Sequence, residues 1–136
     1  MRENVPRVVV SSLCGEGIME KIKVIIHVNE MDRWDVALGN VANLFLSVGE
    51  DNVDAIVLGN GNSVVVYEDL QKIKVMSDLS KKGARFRACR NSLNKMKMDG
   101  KISITESELP DFVEIVPAGI VEVIRRQHEG YAYVKP

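Results

Sequence analysis

The sequence predicts an α/β domain: a mainly parallel sheet of about five strands between helices on both faces, a three-layer, flavodoxin-like sandwich. Three observations predict it. From residue 22 onward, five short β-branched runs alternate with four helix-spaced segments, the pattern of strands joined by helical crossovers. The first run, Ile22 to Val28, is apolar but for Lys23 and His27, as a strand covered on both faces must be. Polar residues gather just after the runs, at the strand ends where parallel sheets of this kind bind ligands.

Residues 1–20 stand outside the pattern, as an N-terminal extension. Pro6 and the Gly15/Gly17 pair bracket a β-like run, Arg7 to Leu13, that could be an extra edge strand or a loose extension, and Met19 is a plausible alternative start. Val8-Val9-Val10 is too short for the apolar region of a secretory signal. Ile22 to Val28 is the first strand. Asp32 to Val48 places Trp34, Ala37, Leu38, Val41, Leu44, Phe45 and Val48 at helical spacing, and Gly49 ends that helix. Val53 to Leu58 reads as the second strand, followed by the turn signal Gly59-Asn60-Gly61-Asn62-Ser63. Val64 to Tyr67 fits either a short strand or a first helical turn. Glu68 to Lys82 is helical by its acidic start, its Leu70/Ile73/Met76/Leu79 spacing and its Lys81-Lys82-Gly83 finish.

Arg85 to Cys89 is the third strand, Asn91 to Met98 a short helix, and Asp99-Gly100 a turn. Between Ile102 and Leu109, Thr105 and Glu108 have the spacing of a capping box, and Pro110 closes the stretch. Val113 to Val116 is the fourth strand. Pro117 suits a first helical turn, and the helix continues from Ala118 to Glu129 with Ile120, Val121, Val123 and Ile124 predicted inward. Gly130 caps it, and Tyr131 to Val134 is the last strand.

A chain of 136 residues fits one domain, here residues 21–136. Its 46% apolar and 27% charged residues are the balance of an ordinary globular protein. A net charge of −1 and short, diluted basic clusters (Lys81 and Lys82; Arg85, Arg87 and Arg90; Arg125 and Arg126) argue against a nucleic-acid partner. No apolar run approaches the roughly 20 residues of a membrane span. Two cysteines are too few for a disulfide framework, so a reducing, cytoplasmic setting is expected. Two His and two Cys are scattered without metal-site spacing. Gly59-Asn60-Gly61 is neither a dinucleotide fingerprint nor a P-loop. No cofactor is expected.

Cys89 is the residue these arguments isolate. It ends a strand just before a helix, where a thiolate would meet unpaired backbone N–H groups and the positive end of the helix dipole. Arg87 and Arg90 are expected to add positive charge, and the thiolate is the reactive form. The alternative is a small buried residue closing a strand. His27 could exchange protons at the crevice or serve as a hydrogen-bonded structural residue. Asn60 and Asn62 could orient an anion or supply turn geometry. Asn91 and Ser92 are good capping types. Cys14 reads as incidental.

The segment Lys23 to Asn43, KVIIHVNEMDRWDVALGNVAN, resembles the opening of the short DsrE/DsrF-like proteins. KGARFRACRNSL, Lys82 to Leu93, resembles that family's cysteine segment, and VPAGIVEVIRRQHEGYAYVKP, Val116 to Pro136, its closing helix and strand. Together the resemblance covers about residues 21–136. It implies the flavodoxin-like fold and assembly into homotrimers or hexamers, or into hetero-hexamers with sister subunits. It also implies sulfur carried as a cysteine persulfide, with TusA-like carriers and rhodanese-like donors as partners. The sulfur-carrying cysteine falls on Cys89; by their places at the strand ends and the helix start after it, His27, Asn60, Arg90, Asn91 and Ser92 are the expected pocket. The expected function is therefore a sulfur carrier of sulfurtransferase type. Two alternatives remain: a small-ligand module using the loop at 59–62, and an assembly subunit touching partners through Val64-Val65-Val66-Tyr67 and the last helix.

Overall fold

The computed structural model describes residues 21–136. The extension, with its Arg7–Leu13 run and Cys14, lies outside them. Five parallel strands form one sheet: β1 (Ile22–Val28), β2 (Val53–Gly59), β3 (Arg85–Cys89), β4 (Val113–Val116) and β5 (Ala132–Val134), in the order β4-β3-β2-β1-β5. Their crossovers carry α1 (Trp34–Val48), α2 (Leu70–Lys81), α3 (Arg90–Met98) and α4 (Gly119–His128). The predicted fold class is the observed one.

The topology decides which face each helix covers. β1 to β4 are laid down side by side in one direction, and right-handed crossovers put α1, α2 and α3 on the same face. The last connection crosses back over the whole sheet to β5, beyond β1, so α4 lies on the opposite face. The period-2 alternation of the strands sorts the core accordingly. Val24, Ile26, Val28, Ala55, Val57, Phe86 and Ala88 pack under α1–α3 with Trp34, Val41, Met76, Leu93 and Met96. Ile25, Ile56, Leu58 and Val116 form a smaller cluster with Val123 of α4 and Tyr131.

One local expectation is resolved and two are corrected. Of the two readings of Val64–Tyr67 the helical one holds, as part of a 3-10 helix, Gly61–Glu68. Val64, Val66 and Tyr67 are buried in the larger core, so they are not available as partner contacts. On α4 only Val123 of the four residues predicted inward is buried; Ile120, Val121 and Ile124 face outward, and Gly119 and Glu122 face the sheet. The reason is the charged middle of this sheet face. Arg87 of β3 is buried there and pairs with Glu122, so the helix turns an acid inward to meet it. The Thr105–Glu108 capping box forms, over a short 3-10 turn.

Candidate functional site

In open parallel sheets the ligand crevice opens where adjacent strands send their connections to opposite faces. Here that point is between β3, which exits into α3, and β4, which exits into α4. Cys89 and Val116, paired in register, are the two strand ends that flank it. Cys89 is also the cap residue of α3, with extended backbone (φ −78°, ψ 119°). Its side chain turns to the α4 face, where the N–H of Gly119, first residue of α4, donates to Sγ at 3.3 Å. Two helix N-termini therefore converge on one sulfur.

The thiol is buried, 4% exposed. Burial alone would push its pKa up. The Ser92 hydroxyl, then the backbone N–H groups of Ser92, Gly119 and Asn91, outweigh burial and hold the thiol below its ordinary value. Ser92 is oriented by the loop after β2: the Gly61 N–H donates to Ser92 Oγ at 2.8 Å, which leaves the hydroxyl proton for the sulfur.

Asn60 enters from the end of β2, and its backbone is held on both sides. Its N–H donates to the Val28 carbonyl at 3.0 Å, and its own carbonyl accepts from Ser63 Oγ at 2.7 Å. Ser63 is pinned in turn by the buried Trp34, whose indole N–H donates to the Ser63 carbonyl at 2.9 Å. The Asn60 side chain bridges two neighbours. Oδ1 lies 2.9 Å from His27 Nε2, and Nδ2 lies against Gly119, 3.2 Å from where a Cβ would stand. His27 Nδ1 meets Tyr133 Oη at 2.8 Å. A line of polar groups thus runs along the carboxyl edge of the sheet, from Tyr133 on β5 through His27 on β1 and Asn60 after β2 to Gly119 and Cys89.

Of the residues singled out in the sequence, Cys89, His27, Asn60, Asn91 and Ser92 meet at this edge. Arg90 is engaged elsewhere, its guanidinium paired with Glu106 at 2.8 and 3.2 Å. Arg87 is buried under α4 with Glu122, and Glu114 lies 3.4 Å from its Nε. The expectation that these two arginines favour the thiolate is therefore corrected: each is neutralised by acids, and the sulfur is surrounded by N–H and O–H dipoles instead. Gly119 and Tyr133 were not singled out. Tyr133 becomes a site residue only through the register of β5 beside β1, which places it opposite Ile25 on the α4 face. Among the described residues no group of three or more His, Cys, Asp or Glu side chains is placed to hold a metal ion, and no helix is long and apolar enough to cross a membrane.

No protein-family model matches this chain, and no curated protein sequence matches it. Solved structures similar to it include the following two. One is a protein of unknown function, MTH1491 from Methanobacterium thermoautotrophicum, with a TM-score of 0.72 and 28% identity over 85% of this chain and 100% of that one. The other is the ychN protein from E. coli, with a TM-score of 0.54 and 13% identity over the same shares. The likeness to ychN is one of fold.

Proposed function

We propose that this protein is a persulfide carrier of the DsrE/DsrF-like kind, holding a sulfane sulfur on Cys89. The observation that carries this reading is the surroundings of the sulfur: a buried thiol at the strand-end crevice whose polar neighbours are hydrogen-bond donors. The Cys89 thiolate attacks the outer sulfur of a donor persulfide. A bond from Sγ to that sulfur forms, the donor's S–S bond breaks, the donor leaves as a thiolate, and the proton stays on the transferred sulfur. Unloading is the same exchange run with an acceptor thiolate, and Cys89 is then the leaving group. No net oxidation occurs in either step. The donors that favour the resting thiolate also favour its departure, because a thiol of lower pKa leaves faster.

The resemblance of Lys82–Leu93 to the family's cysteine segment and the shared fold with ychN support the assignment. On this reading the protein works in the cytoplasm, with a rhodanese-like donor and a TusA-like acceptor, as a homotrimer or hexamer. The outer face of α4, where Ile120, Val121 and Ile124 are 61%, 43% and 46% exposed, supports assembly.

Intact-protein mass spectrometry tests the carrier reading. Wild type and Cys89→Ser are incubated with polysulfide, or with thiosulfate and a rhodanese. Wild type is expected to gain the mass of one sulfur atom, lost again on reduction, and the variant to gain none. A wild type that stays unloaded, or a variant that loads equally, overturns it.

A further inference from the structure

Beside the sulfur, α4 and the end of β4 leave a groove of about 290 Å³, lined by Val116, Pro117, Ala118, Val121, Glu122 and Arg125. Three contacts put it against Cys89. Val116 is paired in register with Cys89 and packs on the same face of the sheet. Ala118 is joined through its peptide bond to the Gly119 nitrogen, which stands 3.3 Å from Sγ. Glu122 reaches down to Arg87, two residues before Cys89 on β3, so this side of α4 lies over the strand that carries the sulfur. Val116, Pro117 and Val121 give the groove apolar walls. Its charges are not evenly matched. Glu122 is met by Arg87 and by Arg126, whose Nε lies 3.7 Å from it, whereas Arg125 is exposed and makes no ion pair among the described residues.

We propose that this groove receives a low-molecular-weight thiol carrying an acid group, or the persulfide of one, and that Arg125 is the specificity-determining residue that holds the acid while the ligand's sulfur meets Cys89. The proposal rests on the carrier reading above and names the class of small ligand that reading leaves open. Ala118 and Arg125 stand seven residues apart along α4 and its cap, about 10 Å at roughly 1.5 Å per residue. A sulfur at one end and a carboxylate or sulfonate at the other are separated by no more than that, the reach of a thiol-bearing amino acid or short peptide. The volume falls at the small end of ligand sites, and the apolar walls face the carbon chain between the two groups. When sulfur is delivered, the Cys89 thiolate attacks the outer sulfur of the ligand's persulfide. The Sγ–S bond forms, the ligand's S–S bond breaks, and the ligand leaves as its thiolate with the proton left on the transferred sulfur. When sulfur is removed, the ligand's thiolate attacks and Cys89 leaves. No oxidant enters in either direction, and Arg125 holds the acid without sharing in the bonds that change.

The test uses the full chain and two alkylating reagents, iodoacetate and iodoacetamide, which share a leaving group and differ in charge. Their rates at Cys89 are read by peptide mass. Both reagents need the same thiolate, so the ratio of their rates cancels any change in the pKa of Cys89. Relative to an unstructured cysteine peptide, the ratio is expected to favour iodoacetate about five-fold in wild type, the scale of one charge attraction over several ångströms near a protein surface. The preference is expected to shrink as salt is raised, to be kept in part by Arg125→Lys and to be lost in Arg125→Ala. Sulfur loaded on Cys89 from polysulfide is expected to pass faster to mercaptopropionate than to uncharged mercaptoethanol, each rate referred to the thiolate present, and Arg125→Ala is expected to lose that preference too. If wild type loads but its alkylation ratio matches that of the peptide, or if Arg125→Ala keeps both preferences, the groove assignment falls and the carrier reading stands. The same holds if the loaded sulfur passes to a protein thiol and to no small one. If wild type takes up no sulfur, the carrier reading falls and the proposal with it.

Discussion

Cys89 is a case in which burial and hydrogen bonding pull in opposite directions, and hydrogen bonding wins. Because the folded-state pKa is depressed, the ionised thiol stabilises the fold. That contribution is fully present above the ordinary thiol value, about 8.5, and is lost as pH falls through the folded value. Two outcomes are expected. The alkylation midpoint of Cys89 in the native protein lies below that of a free thiol, and Ser92→Ala moves it upward, since the first of its donors is gone. The stability gap between wild type and Cys89→Ala, from urea melts, narrows as the pH is lowered. A midpoint at or above the free-thiol value would remove the thiolate from the mechanism. Asp54, at the opposite end of the sheet, follows the same logic. Burial would raise its carboxyl, but the Tyr131 hydroxyl, at 2.5 Å, and the Arg85 guanidinium outweigh it and hold it below its ordinary value. Its contribution is present above about pH 4 and lost on acidification. Tyr131→Phe should therefore differ most from wild type near neutrality and converge with it in acid, as melts across that range will show.

At the scale of an element, α4 sets the site. Its start meets Cys89 and Asn60, its middle is pinned by Glu122 on Arg87, and past its end Lys23 Nζ donates to the Glu129 carbonyl at 2.7 Å. Gly119 makes the close approach possible. A Cβ there would stand 3.2 and 3.3 Å from Asn60 Nδ2 and Cβ and 3.4 Å from Leu58 Cδ2, so Gly119→Ala crowds both side chains, and Asn60 or the helix start must give way by a few tenths of an ångström. It is expected to slow Cys89 alkylation at neutral pH and to cost about 1–3 kcal/mol in urea melts. Glu122→Leu is expected to cost about 3 kcal/mol or more, because it strips a buried arginine of its buried partner. The strands and the edge that gathers Cys89, His27 and Asn60 were legible in the sequence, since alternation fixes the parallel sheet and the sheet fixes which ends hold polar groups. The facing of α4 was not. Apolarity points Ile120, Val121 and Ile124 inward, and only the crossing of α4 over Arg87 reverses that. Tyr133 was hidden for the same reason: its partner His27 is on a strand more than a hundred residues away, and no local pattern carries that register.

For the whole molecule, the consequence of the strand order is unequal cover. Three helices lie on one face of a five-stranded sheet and one on the other. Each residue of β5 is exposed, and the outer side of α4 presents Ile120, Val121 and Ile124 to solvent. Exposed apolar side chains along one helix face are what a contact face would present. If that face joins copies of this chain, wild type sediments as an oligomer at micromolar concentration, and Ile124→Glu sediments as a monomer. The substitution sits outside both core clusters, so its melting midpoint, measured below the concentration at which wild type assembles, should stay close to that of wild type. Cys89 and its donors are on the inner side of α4, so the monomeric variant should still take up one sulfur from polysulfide. A wild type that sediments as a monomer would dismiss the homo-oligomer and leave the outer face of α4 to a different protein. A variant that is monomeric and no longer loads would mean instead that assembly completes the sulfur site.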